Sequence, residues 1–215
     1  MKDRKFGGNG ICPDKDILHS DEESLKWVEV KREHIITDEW IDFRRQAYRL
    51  PDGTVSEPYY TYSRRDYGVI EASDKDEKFL CVRQYRQGVD CVTTEFPAGG
   101  IERSGRMDYR TDDEQEGSVE DSLDSAKREL LEETGYESDE WEHLLTIPSN
   151  ATIADNYAHI YRARNCRKVS GQSLDDIEFL NTGLLTKEEI EELLHGGDFL
   201  QAVHVMAWLL AKESD

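Results

Sequence analysis

A mixed α/β fold of the α+β kind, headed by an N-terminal antiparallel β subdomain, is what the sequence predicts, and three patterns predict it. Between Trp27 and Tyr62, apolar and polar residues alternate with the two-residue period of strands. From Tyr67 to Phe96 and again from Trp141 to Ala163, short runs rich in β-branched and aromatic residues repeat that period. Set among them, residues 123–135, 187–196 and 199–210 change to the three-to-four-residue spacing of helices that bury one face.

In chain order, residues 1–22 combine Gly7, Gly8, Gly10 and Pro13 with many charges and read as a flexible tail. Residues 23–66 form the β subdomain: WVEVKREHIIT and WIDFRRQAYRL flank Asp38-Glu39, and Pro51-Asp52-Gly53 supplies a turn. Residues 67–215 make the second domain. Its strands are expected at YGVIEA, FLCVRQY and VTTEF, then at WEHLLTI and YAHIYRA, with Ile177 to Leu180 as a late strand. The acidic stretch 103–118 lacks apolar periodicity and is expected as an exposed loop, longer than most connections within a domain. After it, Leu123, Ala126, Leu130 and Leu131 mark an amphipathic helix that Gly135 stops. Thr186 with Glu189 forms a capping box for a helix ending at Gly196. Asp198 with Gln201 is expected to start the last one.

The 215 residues include 27 basic and 47 acidic side chains, a net charge of −20. That field repels polyphosphate backbones, so nucleic acid is excluded as a partner, and an anionic substrate requires something positive between it and the protein. Four cysteines without a CxxC pair are expected as free thiols in a reducing compartment. The longest mostly apolar run, Ala202 to Ala211, is interrupted by His204 and is too short to span a bilayer. A soluble, cytoplasmic protein without membrane attachment is expected.

Chemistry concentrates in Arg128-Glu129-Leu130-Leu131-Glu132-Glu133-Thr134-Gly135-Tyr136. On a helix Glu129 is one turn from Glu132 and Glu133, so three carboxylates crowd one side near a helix C-terminus, where anions are disfavoured. Carboxylates converging at that spacing suit Mg²⁺ or Mn²⁺, which take hard oxygen ligands and keep positions for substrate phosphates. On spacing alone, a solvated acidic face accounts for the same residues.

The wider pattern resembles the Nudix hydrolase signature. Glu95-Phe96-Pro97-Ala98-Gly99-Gly100, then Glu120, seven residues, and Arg128 to Tyr136 follow its order of Gly, five residues, Glu, seven residues, Arg-Glu, apolar, any, Glu-Glu, any, Gly, apolar. The second half matches throughout. The first departs, with 20 residues instead of five between Gly99 and Glu120, which makes the acidic loop an insertion. An exposed loop lengthens at small entropic cost. Arg83-Gln84-Tyr85-Arg86 ahead of Glu95 extends the resemblance to the branch of ADP-ribose and nucleotide-sugar pyrophosphatases.

The resemblance implies a Nudix fold, a mixed sheet sandwiched between helices, and a homodimer in which the β subdomain contacts the nucleotide base. It implies Mg²⁺, with Mn²⁺ as an alternative, held by Glu129, Glu133 and the Ala98 carbonyl, with Glu132 and Glu120 ligating directly or through water. Arg128 orients these carboxylates. Asp176 is the preferred general base and Glu178 a further catalytic or ligand residue; a polar loop running into a strand accounts equally for either one alone. Arg86 contacts phosphate, Glu95 accepts a hydrogen bond from substrate, and Trp27 stacks on the base, with Trp40 as competitor and core packing as the bland reading of both. The remaining histidines are expected to stay outside the mechanism. The implied reaction is hydrolysis of the diphosphate bond of ADP-ribose or a related nucleoside diphosphate sugar, giving a nucleoside monophosphate and a sugar phosphate. The stretch Ile147 to Asn156 lacks the Pro-Gly loop of many ADP-ribose hydrolases, and its Asn150, Thr152 and Asn156 suit hydroxyls of another sugar. The competing reading is a nucleotide-sugar sensor without turnover.

Overall fold

Residues 22–103 and 119–213 are described by the computed structural model. The expected N-terminal tail and acidic insertion, together with Cys12, lie outside these residues except at their edges. The chain divides into two units, one of residues up to Glu33 with Arg44–Tyr60, the other of His34–Phe43 with Thr61 onward.

After a short 3-10 turn at Glu22–Ser24 come β1 (Val28–Thr37), β2 (Asp42–Arg49) and β3 (Val55–Ser63), a three-stranded sheet in the order β1-β2-β3. In the first unit Trp27 meets Tyr59 edge-on with ring centres 5.3 Å apart, and Tyr59 meets Tyr48 at 5.6 Å. Glu29 accepts hydrogen bonds from Arg32 on its own strand and from the amide of Gln46 on β2. Leu25, Val28, Val30 and Val55 remain exposed there.

The second unit continues with β4 (Tyr67–Asp74), β5 (Phe79–Arg86), β6 (Cys91–Glu95), β7 (Ala98–Gly100), helix α1 (Ser122–Thr134), β8 (Tyr136–Glu137), β9 (Glu140–Pro148), β10 (Tyr157–Lys168), β11 (Leu180–Leu185) and helices α2 (Lys187–Gly196) and α3 (Ala202–Glu213). Its sheet runs β11-β5-β4-β10-β8, with β6 pairing β5, β7 pairing β4 and β9 pairing β10. The β4–β10 pair is parallel, in register from Tyr67 opposite Ala158 to Ala72 opposite Ala163. The β5–β11, β5–β6, β4–β7 and β9–β10 pairs are antiparallel, so the sheet is mixed.

Successive strand residues point to opposite faces, and each face buries its own core. Ile70, Ala72, Leu80 and Tyr161 pack with Ala126 and Leu130 of α1. Their chain neighbours Val69, Cys81 and Ile160 pack with Ile190, Val203, Ala207 and Trp208 of α2 and α3. The sheet therefore lies between α1 and the pair α2, α3, as the fold class implied. Arg162 of β10 pairs with Glu71 at 3.2 Å and donates to the Ala211 carbonyl, satisfying an orphan acceptor at the end of α3.

The caps of α1 and α2 follow from sequence. Asp121 accepts from the Leu123 and Asp124 N–H groups at the start of α1, and Thr186 with Glu189 forms the reciprocal capping box of α2. The start of α3 corrects the expectation. The N–H groups of Asp198 and Phe199 are spent on the Leu193 carbonyl at the end of α2, and α3 begins at Ala202. Leu131 is exposed; Ser125, Glu129 and Glu133 are buried on α1 instead. Ile177 to Phe179 belong to a loop, with the strand beginning at Leu180. Strands β7 and β8, three and two residues long, are too short for a periodic signal. Among the described residues no helix is long and apolar enough to cross a membrane.

Gly135 ends α1 with φ +74°, its N–H donating to the Leu131 carbonyl, and a Cβ there would lie 2.3 Å from the Ser170 carbonyl oxygen. Glycine is thus required twice, by conformation and by space. Gly135→Ala is expected to destabilise the protein by on the order of 1 to 2 kcal/mol from the left-handed backbone alone, with the close contact adding to it. A thermal melt checks this; an unchanged melting temperature contradicts it.

Candidate active site

Helix α1 carries its acids toward β7. Glu129 and Glu133, one turn apart, are buried against the β7 backbone, whereas Glu132 is partly exposed. The Ala98 N–H donates to Glu133 Oε2 at 3.0 Å. A Cβ on Gly99 would stand 1.9 Å from Glu129 Cδ. The carboxylate occupies the space a side chain would take, so this approach is open to glycine only.

Arg128 gathers the exposed rim of the cluster. Its Nε and Nη2 bind the two oxygens of Glu120 at 3.0 Å each, and Nη1 binds Glu129 at 2.9 Å and Glu132 at 3.0 Å. Nη2 also donates to the Gly100 carbonyl at 3.1 Å, tying helix to strand. Glu120 keeps this position despite the long insertion because the insertion's two ends pair. Glu120 N–H donates to the Glu102 carbonyl, Glu102 N–H donates to Glu120 Oε2 at 3.1 Å, and Arg103 bridges Val119.

The C-terminal carbonyls of α1 are satisfied from the other side. The Glu133 carbonyl accepts from Gln172 at 2.7 Å and from Thr182 Oγ at 2.8 Å, and the Glu132 carbonyl accepts from Ser173 N–H at 2.9 Å. These bonds anchor the loop bearing Asp176 and Glu178. Asp176 is exposed. Glu178 accepts from Asp175 N–H at 3.1 Å, and its charge acts on both Glu129 and Glu133. Its neighbours Ile177 and Phe179 are 80% and 84% exposed.

Electrostatics follow from burial. Desolvation pushes Glu133 up to about 8, with Glu129 and Glu178 adding repulsion, against the Ala98 N–H and Arg86. Desolvation also lifts Glu129 to about 7, opposed by Arg128 and reinforced by Glu132 and Glu178. Glu120 stays below the usual carboxylate range because of the Arg128 fork.

Arg86 lies in the same field and is committed to Glu95. Its Nε is 2.9 Å from Glu95 Oε1 and its Nη2 2.5 Å from Oε2. Glu95 has no exposure and also accepts from Thr93 Oγ and, at 3.5 Å, from Gln201. Its carboxylate is thus engaged by Arg86, Thr93 and Gln201. Burial opposes its charge, yet Arg86 and its other partners hold it below the ordinary range. His204 stands behind this pair with Nδ1 accepting from the Phe96 N–H at 3.1 Å, and burial pushes it down to about 4.

The structure thus brings together Arg86, Glu95, Ala98, Glu120, Arg128, Glu129, Glu132, Glu133 and Glu178. Trp27 belongs to the first unit, where it is 49% exposed; Trp40 is 60% exposed, with the Arg65 guanidinium 6.0 Å from its ring centre. Neither is a core residue. Asn156 is buried and donates to the Arg65 carbonyl, and Thr152 donates to Asn150. Gln172, Thr182 and His204 carry no motif signal; a histidine on an otherwise apolar helix face is the one cue the sequence offers for the last. A cavity of about 450 Å³ lined by Cys81, Arg83, Asn181, Glu189 and Leu193 lies on the α2 side of the sheet, away from Glu129 and Glu133.

The donors gathered here are those a divalent cation takes. Among the described residues no three acidic side chains already converge as a cage, and Arg128 engages the oxygens of three of them. The chemistry nevertheless fits: all donors are hard oxygens, two carboxylates are buried at a charge cost, and three share a single guanidinium.

The NUDIX domain family matches residues 63–208. A methanol dehydrogenase activator of Bacillus methanolicus is 29% identical over 161 residues, 74% of this chain and 78% of that protein. An ADP-ribose pyrophosphatase of Bacillus subtilis is 24% identical over 194 residues, 89% and 96% of the two chains. A CMP-5'-(N-acetyl-N-hydroxy-3-aminopropyl)phosphonate hydrolase of Streptomyces rubellomurinus is 28% identical over 148 residues, 69% of this chain and 64% of that one. A crystal structure of an ADP compounds hydrolase superposes with a TM-score of 0.69 at 19% identity, covering 87% of this chain and 93% of that one, and supports the fold.

The raised carboxyls set a pH dependence. In the folded protein Glu129 and Glu133 hold protons to about pH 7 and 8, while the unfolded chain releases them near 4.5. Between those values the folded state binds more protons, so stability falls as pH rises. Metal-free protein is expected to lose stability steadily from this source between pH 5 and pH 8. Glu133→Gln should flatten the slope, and millimolar divalent cation should restore stability more at pH 8 than at pH 5. Equal slopes for parent and variant in thermal melts contradict this.

Proposed function

The chain belongs to the Nudix family, and from that premise we propose that it is a divalent-cation-dependent pyrophosphatase acting on ADP-ribose or a related nucleoside diphosphate sugar. Products are a nucleoside monophosphate and a sugar phosphate. The observation that carries this reading is the pair Glu129 and Glu133 buried against the side-chain-free strand Ala98-Gly99, beside a guanidinium at Arg86. Two of the relatives, the ADP-ribose pyrophosphatase and the CMP-phosphonate hydrolase, act on nucleotide conjugates.

Glu129, Glu133 and the Ala98 carbonyl would hold Mg²⁺, with Glu120 and Glu132 ligating directly or through water. The bound ion supplies charge neutralisation for the diphosphate and lowers the pKa of a water. Arg128 holds Glu120, Glu129 and Glu132 in place. Arg86, fixed by Glu95 along its Nε and Nη2 edge, offers Nη1 to a phosphate oxygen. The proton of the attacking water passes to an acid of the 174–178 loop. Glu178 is the better placed of the two candidates, since its field reaches Glu129 and Glu133. The half-exposed Trp27 offers a stacking face for the base, and the exposed apolar side chains of the first unit offer a contact for a second copy in a homodimer.

The test is incubation with Mg²⁺ and a panel of ADP-ribose, ADP-glucose, UDP-glucose and GDP-mannose, with products separated by ion exchange. Metal-dependent release of a nucleoside monophosphate is expected. Silence across the panel, with Mn²⁺ also tried, overturns the reading in favour of a sensor without turnover. Glu133→Gln should fold normally and lose roughly a hundredfold or more in kcat. Glu178→Gln should lose more activity than Asp176→Asn; the reverse order assigns the base to Asp176.

A further inference from the structure

We infer that His204 is a positioning residue that braces the two sides of the site at once: the Phe96 backbone leading to Ala98, and the Glu95 carboxylate that fixes Arg86. The kinetic part of this inference rests on the proposed diphosphate hydrolysis; the geometric part does not.

His204 sits on α3 and is buried beside Val203 and Ala207. Its Nδ1 is 3.1 Å from the Phe96 nitrogen, and a backbone N–H can only donate, so Nδ1 carries the lone pair. In the neutral ring the proton is then on Nε2, which faces Glu95 Oε2 at 3.9 Å. That distance is too long for a hydrogen bond and short enough for a dipole to favour the carboxylate. Burial keeps the ring neutral near physiological pH.

Phe96 stands where β6 has ended and the chain turns toward β7. Nearby, the Thr94 N–H donates to the Asp198 carbonyl just ahead of α3, and the Pro97 carbonyl accepts from Ile70 N–H. The Ala98 N–H is bound to Glu133. His204 therefore supplies the bond that fixes the start of a three-residue bridge whose end meets the buried acid. On the other arm, Glu95 accepts the Arg86 fork, Thr93 Oγ and Gln201. Its Oε2 faces both Arg86 Nη2 and the His204 Nε2–H. Rotation of the carboxylate would carry the Arg86 fork with it.

Two substitutions separate the arms. In His204→Asn the amide oxygen replaces Nδ1 as acceptor for Phe96 N–H, and nothing reaches Glu95. In His204→Phe the ring volume stays and both arms go. The readout independent of turnover is the ¹⁵N–¹H signal of Arg86 Nε, assigned with Arg86→Lys. In the parent it should exchange slowly with water; in both variants exchange should quicken by roughly tenfold or more, as the fork loosens. Kinetically, His204→Asn should raise KM roughly tenfold with kcat and the Mg²⁺ activation constant nearly unchanged, and His204→Phe should raise that constant as well.

Folded variants in which the Arg86 signal and exchange rate match the parent overturn the inference. If His204→Phe fails to fold, His204→Asn decides. A parent without hydrolytic activity, combined with an Arg86 signal that does move, leaves the brace standing and removes the functional reading instead.

Discussion

Two carboxylates one helical turn apart are pressed into a backbone that has no side chain to displace. Glu129 fills the space above Gly99 and Glu133 takes the Ala98 N–H, and burial raises both well above the ordinary carboxyl range. A fold does not gain stability by burying acids without a matching charge. In the proposed function a bound cation would offset that cost, and the surrounding contacts hold the acids where it would bind.

The scaffold does this from three directions. Arg128 ties the exposed acids to each other and to the Gly100 carbonyl, so Glu120 stays in place although a long insertion separates it from β7. Gln172, Ser173 and Thr182 satisfy the last carbonyls of α1, which fixes the helix end and draws the acidic loop to the site. From the far side of the sheet, His204 of α3 and Gln201 just ahead of it support Phe96 and Glu95. Both cores therefore serve the same few square ångströms of oxygen surface, one through α1 and one through α3.

What the sequence disclosed and what it hid divide along a physical line. Elements long enough to repeat a period were legible: α1, α2 and strands β4, β5, β9 and β10 lie where alternation and caps put them. The acids Glu129, Glu132 and Glu133 were legible because helical spacing is a local property, and Gly99 because the signature contains it. The short strands β7 and β8 were hidden, having no room for a period. So were Gln172, Thr182 and His204, whose roles depend on carbonyls and carboxylates brought near by tertiary packing. The start of α3 was misplaced because Asp198 with Gln201 offers a good capping box locally, while the Asp198 N–H that Gln201 would take is bonded to the Leu193 carbonyl at the end of α2. Burial also reversed a local reading: Leu131 is exposed while Glu129 and Glu133 turn inward, an order that no hydrophobic pattern gives and that the proposed function would explain.

The central claim is that α1 and β7 form a divalent-cation site. Titration of the metal-free protein with Mn²⁺, followed by electron paramagnetic resonance of the free ion, tests it most directly. The account predicts saturable binding that weakens by roughly tenfold or more in Glu129→Gln and in Glu133→Gln, with Glu77→Gln, on an exposed turn, unchanged. Equal affinity and stoichiometry in all four proteins would place the cation elsewhere and contradict the account.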